Sequence, residues 1–187
     1  MTTIYLVRHG ETEENQRQIL QGHMPGHLTT LGREQADVCG KRLKEMNVHP
    51  DIMLYSDLKR TIDTAEIINK QLCIPTMPCP LLRERDWGSF TGKPVIRARQ
   101  EQLPDDAESV EAMFQRARRF LSFVKEHYEG QTIIAVGHGL FNRAIQAVLK
   151  GVETRDIPRM ENAEVRRCEF DELPKDWDCG SDLISAD

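Results

Sequence analysis

Ile4-Tyr5-Leu6-Val7-Arg8-His9-Gly10-Glu11-Thr12 opens with a continuous apolar, β-favouring run that stops abruptly at charge and glycine. Four apolar residues in succession suit a strand buried on both faces, the pattern of a mostly parallel sheet. Gly10 is expected to release that strand into a tight, exposed backbone turn. Beside it, Arg8 and His9 combine an anion-binding fork with a nucleophile. Strict strand alternation would send the two side chains to opposite faces, so a shared pocket requires the strand to twist or end here.

Further along the chain the same pattern returns. Thr132-Ile133-Ile134-Ala135-Val136 reads as a central strand and ends in Gly137-His138-Gly139, and Asp51 to Tyr55 is short enough for another strand. Helical segments lie between them. Thr29 or Thr30 starts one whose Ala36, Cys39, Leu43 and Met46 share a face, with Asn47 and Pro50 favouring its end. Leu58 to about Gln71 places Ile62, Ala65 and Ile68 toward the sheet, and Ser109 to His127 aligns Val110, Met113, Ala117, Phe120, Leu121 and Val124. A further apolar helix runs from Gly139 through Leu149. The Pro75-to-Pro80 region reads as a connection, and Pro94 to Asp106 as a lid. This alternation points to one α/β domain over residues 1–173, followed by an acidic, frayed tail over 174–187.

Composition narrows the function classes. A chain of 187 residues, 39% apolar and 29% charged, is that of an ordinary soluble globular protein, and charge interrupts every apolar run before membrane-span length. No secretory leader precedes Ile4, so a cytoplasmic location is expected. Cys39, Cys73, Cys79, Cys168 and Cys179 form neither a CxxC pair nor a Cys/His cluster, and read as reduced thiols. A net charge of -5 without a long basic stripe argues against broad nucleic-acid binding. His23 and His27 lack partners at metal-ligand spacing, so no metal or other cofactor is expected.

The chemistry gathers at strand ends. His9 and His138 both follow apolar strands at their carboxyl ends, where parallel sheets hold ligands. Arg60 opens a helix just after Tyr55-Ser56, and Glu84 lies in Leu82-Arg83-Glu84-Arg85-Asp86-Trp87-Gly88. Arg8 and Arg60 suit a clamp on phosphate oxygens, and Glu84 suits proton transfer to a leaving alcohol followed by activation of water. Taken singly, each has a duller reading: a packing histidine, a surface salt-bridge arginine, a solvated glutamate.

Together these blocks resemble the histidine phosphatase family, also called the phosphoglycerate mutase-like family. The resemblance rests on Leu6-Val7-Arg8-His9-Gly10-Glu11-Thr12-Glu13-Glu14-Asn15, Leu28-Thr29-Thr30-Leu31-Gly32-Arg33-Glu34-Gln35-Ala36, Ser56-Asp57-Leu58-Lys59-Arg60-Thr61, the Glu84 block and Gly137-His138-Gly139, in the expected order. It implies a three-layer α/β/α sandwich with a mostly parallel central sheet. It also implies His9 as nucleophile, Arg8 and Arg60 as phosphate-binding arginines, Glu84 as the acid, and His138 as a second pocket histidine, charged once substrate is bound. Asn15 matches an auxiliary phosphate-binding position, with Gly139 or Leu140 as a backbone donor. Gly22-His23-Met24-Pro25-Gly26-His27-Leu28 departs from the many relatives that carry Asp and then Pro before Leu-Thr, which bears on the pocket edge. The implied function is hydrolysis of a small phosphorylated metabolite through a phosphohistidine. A phosphoglycerate mutase and a noncatalytic phosphate-ligand-binding protein are the alternatives. The short Arg85-to-Gly137 interval favours hydrolysis over the mutase.

Overall fold

The computed structural model describes residues 1–173; the segment expected to fray, 174–187, lies outside the described residues. Strands β1 (Thr2–Arg8), β2 (Ile52–Tyr55), β3 (Thr76–Pro78), β4 (Thr132–Gly137) and β5 (Val165–Phe170) form one sheet in the order β3-β2-β4-β1-β5. The first four run parallel, and β5 pairs antiparallel with β1. Helices α1 (Glu13–Gln16), α2 (Thr30–Glu45), α3 (Lys59–Leu72), α4 (Val95–Gln100), α5 (Val110–Tyr128) and α6 (Gly139–Lys150) accompany it, with short 3-10 turns at Pro80–Leu82, Gly88–Phe90 and Thr154–Asp156.

The unbroken apolar runs of β1 and β4 follow from cover on both faces. Ile4, Leu6, Leu54, Ile133 and Ala135 pack with Phe120, Leu121, Phe141 and Ile145 of α5 and α6. Val7, Met53, Ile134 and Val136 pack instead with Cys39 and Leu43 of α2 and Ala65 and Ile68 of α3. Alternate residues of each strand thus serve opposite layers, which makes the three-layer α/β/α sandwich. None of the described helices is long and apolar enough to cross a membrane.

Helix starts follow capping chemistry. Thr29, not Thr30, is the N-cap of α2, its hydroxyl accepting from Gly32 N at 3.0 Å, and Ser109 caps α5 by accepting from Ala112 N at 3.0 Å. Two strands depart from the sequence reading. The Pro75-to-Pro80 region contains β3, which pairs with β2 from Met53↔Thr76 to Tyr55↔Pro78 at the sheet edge, where a proline's missing N–H is tolerated. On the other edge, Val165-Arg166-Arg167-Cys168-Glu169-Phe170 carries the charge of a protected outer strand and so gives no apolar signal. Within the stretch read as a lid, α4 forms and packs Ala98 against Leu20 and Phe90.

Candidate active site

Above the carboxyl ends of β1 and β4 lies a cavity of about 270 Å³, whose lining includes Arg8, His9, Asn15, Arg60, Glu84 and Gly139. The condition set by strand alternation is met by termination: β1 stops at Arg8, and His9 follows in irregular backbone with its N–H donating to Gly137 O at 3.0 Å. Gly10 has a different reason from the one expected. It is not among the glycines with positive φ; instead a Cβ there would overlap the Gly32 carbonyl in the first turn of α2. A Cβ on Gly32 would in turn overlap the Glu11 backbone, so the two glycines let the His9 loop and α2 touch through their main chains.

His9 is 3% exposed. Its Nδ1 lies 2.7 Å from Gly10 O, and because a carbonyl only accepts, the proton sits on Nδ1 and the lone pair on Nε2. Burial, reinforced by the charges of Arg60 and Arg8, pushes the His9 pKa well below 6.5, so the ring is neutral at pH 7.

Arg60, in the first turn of α3, is buried and almost fully engaged. Nη1 donates to Met24 O at 2.5 Å, Nη2 to Gly22 O at 2.8 Å, and Nε to His138 Nδ1 at 3.2 Å. The Gly22-to-Gly26 segment therefore wraps this guanidinium with backbone carbonyls, and a Cβ on Gly26, whose φ is positive, would lie 2.9 Å from Arg60 Cδ. Burial lowers the Arg60 pKa to about 10, leaving it charged at neutral pH.

His138 has no exposed surface and stands behind His9, ring centroids 5.3 Å apart. Arginine Nε can only donate, so His138 Nδ1 is unprotonated and its Nε2–H points at Ser56 Oγ, 2.9 Å away. Burial and Arg60 hold its pKa well below 6.5. In the unliganded protein His138 is therefore neutral, with both ring nitrogens occupied.

Arg8 donates from Nη1 to Met160 O at 2.6 Å, while its buried Nε has no hydrogen-bond partner among the described residues. Gly139 permits this approach, since a Cβ there would lie 3.2 Å from that Nε. Glu84 sits at the N-terminus of α6, accepting from Phe141 N at 3.1 Å and Leu140 N at 3.3 Å as well as from Arg85 N at 2.9 Å. Of the two alternatives expected as a backbone donor to phosphate, Gly139 or Leu140, the Leu140 N–H is thus committed to Glu84. Asn15 closes a capping box with Thr12, its Oδ1 accepting from Thr12 N at 3.1 Å, and the residue also lines the cavity.

Sequence reasoning missed Asn162, whose Nδ2 donates to His9 O at 3.1 Å and to Asn15 Oδ1 at 3.3 Å, tying the His9 loop to the approach to β5. It also gave no role to Ser56. His23, weighed only as a metal ligand, instead has its Nε2 3.0 Å from the Glu84 carbonyl.

The two buried neutral histidines make stability pH-dependent. Below about pH 6.5 the unfolded chain takes up protons that folded His9 and His138 refuse, so stability falls as pH drops toward their depressed folded values. Each histidine contributes a slope of up to about 1.4 kcal/mol per pH unit in that window. Urea unfolding between pH 7.5 and 5 is expected to show a shallower slope for His138→Gln than for the wild type. Superimposable slopes would contradict burial of a neutral imidazole at 138.

The chain has relatives among known proteins. The chain is 33% identical to the uncharacterized phosphatase PhoE of Bacillus subtilis (strain 168) over 98% of its own length and 97% of the relative's. A 2,3-bisphosphoglycerate-dependent phosphoglycerate mutase of Bartonella bacilliformis is 32% identical over 86% of this chain and 87% of that protein. The solved structure of Bacillus stearothermophilus YhfR superposes with a TM-score of 0.83 at 30% identity, covering 91% of this chain and 92% of the other. The profile of the histidine phosphatase superfamily (branch 1) matches residues 4–179, a span containing Arg8, His9, Arg60, Glu84 and His138, and by that match the chain belongs to the histidine phosphatase superfamily.

Proposed function

We propose that this phosphatase hydrolyses small phosphate monoesters by passing the phosphoryl group through His9. The observation that carries the reading is the tautomer of His9: with Nδ1–H bound to Gly10 O, the Nε2 lone pair belongs to a neutral ring beside two arginines. Arg8, through its unpartnered Nε, and Arg60 hold the nonbridging oxygens, with Asn15 and the Gly139 N–H as further donors. Nε2 attacks phosphorus, the bond to the alcohol oxygen breaks, and Glu84 supplies the proton that oxygen needs. Water then attacks the phosphohistidine while Glu84 takes its proton, and the N–P electron pair returns to His9.

His138 changes state in this scheme. Burial and the positive field of Arg60 keep the ring neutral, and a dianion beside Arg60 reverses that field, so a proton enters at Nδ1, which then donates toward the phosphoryl group instead of accepting from Arg60. Its charge is thereby present during transfer, when negative charge concentrates on the nonbridging oxygens. Every electrophilic contact here comes from side chains and backbone, and no step requires a metal ion.

Phosphate release from a panel of sugar phosphates, nucleoside monophosphates, phosphoglycerates and a ribazole phosphate, with mutase activity assayed in parallel, tests the reading. Release that persists under exhaustive chelation is expected. Activity restored only by one stoichiometrically bound metal would sink the mechanism, and isomerisation of phosphoglycerate outrunning release would favour the mutase.

A further inference from the structure

Ser56 is fully buried and faces His138, the histidine whose charge changes in the reaction above. Its Oγ lies 2.9 Å from His138 Nε2. The contact joins neighbouring strand ends, since Ser56 follows β2 and His138 follows β4, which pair from Ile52↔Ile133 to Tyr55↔Val136. Main-chain bonds hold both residues independently of it. Ser56 N donates to Val136 O at 3.0 Å and the Ser56 carbonyl accepts from Thr61 Oγ1 at 2.8 Å, while the His138 carbonyl accepts from Asn142 N at 2.9 Å. The sheet and the first turn of α3 therefore present the hydroxyl to the ring.

This partner suits its task by being uncharged. The charges that act on His138 are positive or become so on protonation: Arg60 on α3, His9, Arg116 on α5 and His23. The cavity's carboxylate, Glu84, is turned instead to the N–H groups of Leu140 and Phe141. A carboxylate in the place of Ser56 would pair with the imidazolium and hold it charged before substrate arrives. A hydroxyl oxygen supplies an acceptor without that charge, so the ring stays neutral beside Arg60 until a dianion binds. It also decides which nitrogen responds. With Nε2–H engaged, the incoming proton goes to Nδ1, the nitrogen that meets Arg60 Nε at 3.2 Å. A buried imidazolium then needs an acceptor at each N–H, because an unmet donor carrying charge costs more than a neutral one. The phosphoryl group meets one and Ser56 the other.

We propose that Ser56 is a positioning residue for His138: its hydroxyl oxygen accepts the Nε2–H in both charge states, directing the substrate-linked proton to Nδ1 and stabilising the imidazolium that faces the phosphoryl group. The inference rests on the phosphatase reading above.

The test uses inorganic phosphate as the probe and the ring 15N shifts of His138, assigned by their absence from His138→Gln, as the readout. At neutral pH the free wild-type ring is expected to carry its one proton on Nε2, and at saturating phosphate both nitrogens should be protonated. Ser56→Cys fills the same space with a weak acceptor. Its phosphate-bound His138 should give up the second proton about one pH unit lower than in the wild type, the difference between a charge-assisted and a neutral hydrogen bond. Ser56→Ala should shift the same way, and serves if the sulfur is not accommodated. Single-turnover release of 4-nitrophenol from 4-nitrophenyl phosphate, which needs little protonation by Glu84, carries the same shift into catalysis. The variant should fall behind the wild type as pH rises, reaching about 10-fold on the alkaline side. A wild-type ring that stays neutral under phosphate, or variant rings that titrate with the wild type's, overturn the inference. So does a rate lowered equally at every pH, the mark of a merely structural role. Phosphate release that continues in any of these cases leaves the phosphatase standing, whereas a protein that neither binds phosphate nor hydrolyses its esters removes both.

Discussion

His9→Ala is expected to lower kcat by at least about 10⁴-fold on every phosphate monoester, the scale on which enzymes lose turnover with their nucleophile. The defect should be one of transfer and not of binding. Arg8 takes its position from Met160 O, and Arg60 from Gly22 O, Met24 O and His138, so neither clamp residue depends on the imidazole for its place. Inorganic phosphate should therefore inhibit the variant's residual activity, or quench a bound reporter, within a few-fold of the wild-type concentration. In the wild type, rapid quenching into alkali should preserve phosphohistidine, and peptide mapping should place the label on His9. Because His9 is held neutral far below pH 6.5, the acid limb of the free enzyme's kcat/KM should not show an ordinary histidine titration. A kinetically competent label confined to His138, together with robust turnover by His9→Ala, would overturn the assignment. Single-turnover kinetics separates that result from an intermediate that is hydrolysed faster than it forms.

The parts of this molecule that were legible in the sequence share a physical cause. Ile4 to Val7 and Ile133 to Val136 announce themselves because both faces of those strands are covered, so no polar alternation interrupts them. Thr76–Pro78 and Val165–Phe170 are edges, carrying proline or charge where pairing stops, and nothing in their patterns marks a strand. The same contrast holds in the site. His9, His138, Arg8, Arg60 and Glu84 were singled out because they sit in local blocks that resemble the family's motifs, and the cavity brings His9, Arg8, Arg60 and Glu84 to one surface with His138 behind them. Asn162 was not found because its importance lies in contacts over 147 or more residues, with His9 and Asn15. Gly10 was found for the wrong reason: a pattern shows a glycine, but not that Gly32 will lie against it.

Glu84→Gln is expected to lower kcat by roughly 10²- to 10⁴-fold on an unactivated alkyl phosphate, the usual worth of a positioned general acid or base. The backbone carrying the carboxylate is held independently of it. Arg116, paired with Glu108 and lying over the Phe141 ring, donates to Leu81 O at 2.9 Å and Arg83 O at 2.6 Å, and the carbonyl of Glu84 lies 3.0 Å from His23 Nε2. A glutamine of nearly the same size should therefore stay in place and still accept from the N-terminus of α6 through its one oxygen. What it loses is the titratable proton and a negative charge. Burial lowers the pKa values of Arg8 and Arg60, and that charge, facing both, partly offsets the shift, so it also opposes an incoming dianion. The sign of the binding effect follows: inorganic phosphate should inhibit Glu84→Gln as tightly as the wild type or more tightly, while turnover collapses. An activated aryl phosphate needs little protonation of its leaving oxygen, so its first step should be spared, and a burst of phenol equal to the enzyme concentration should precede slow hydrolysis of the phosphohistidine. Burst and steady state then report the two proton transfers separately. Unchanged rates on the alkyl ester across the pH profile, or phosphate affinity falling in step with turnover, would mean that Glu84 serves charge balance at the start of α6 and moves no proton.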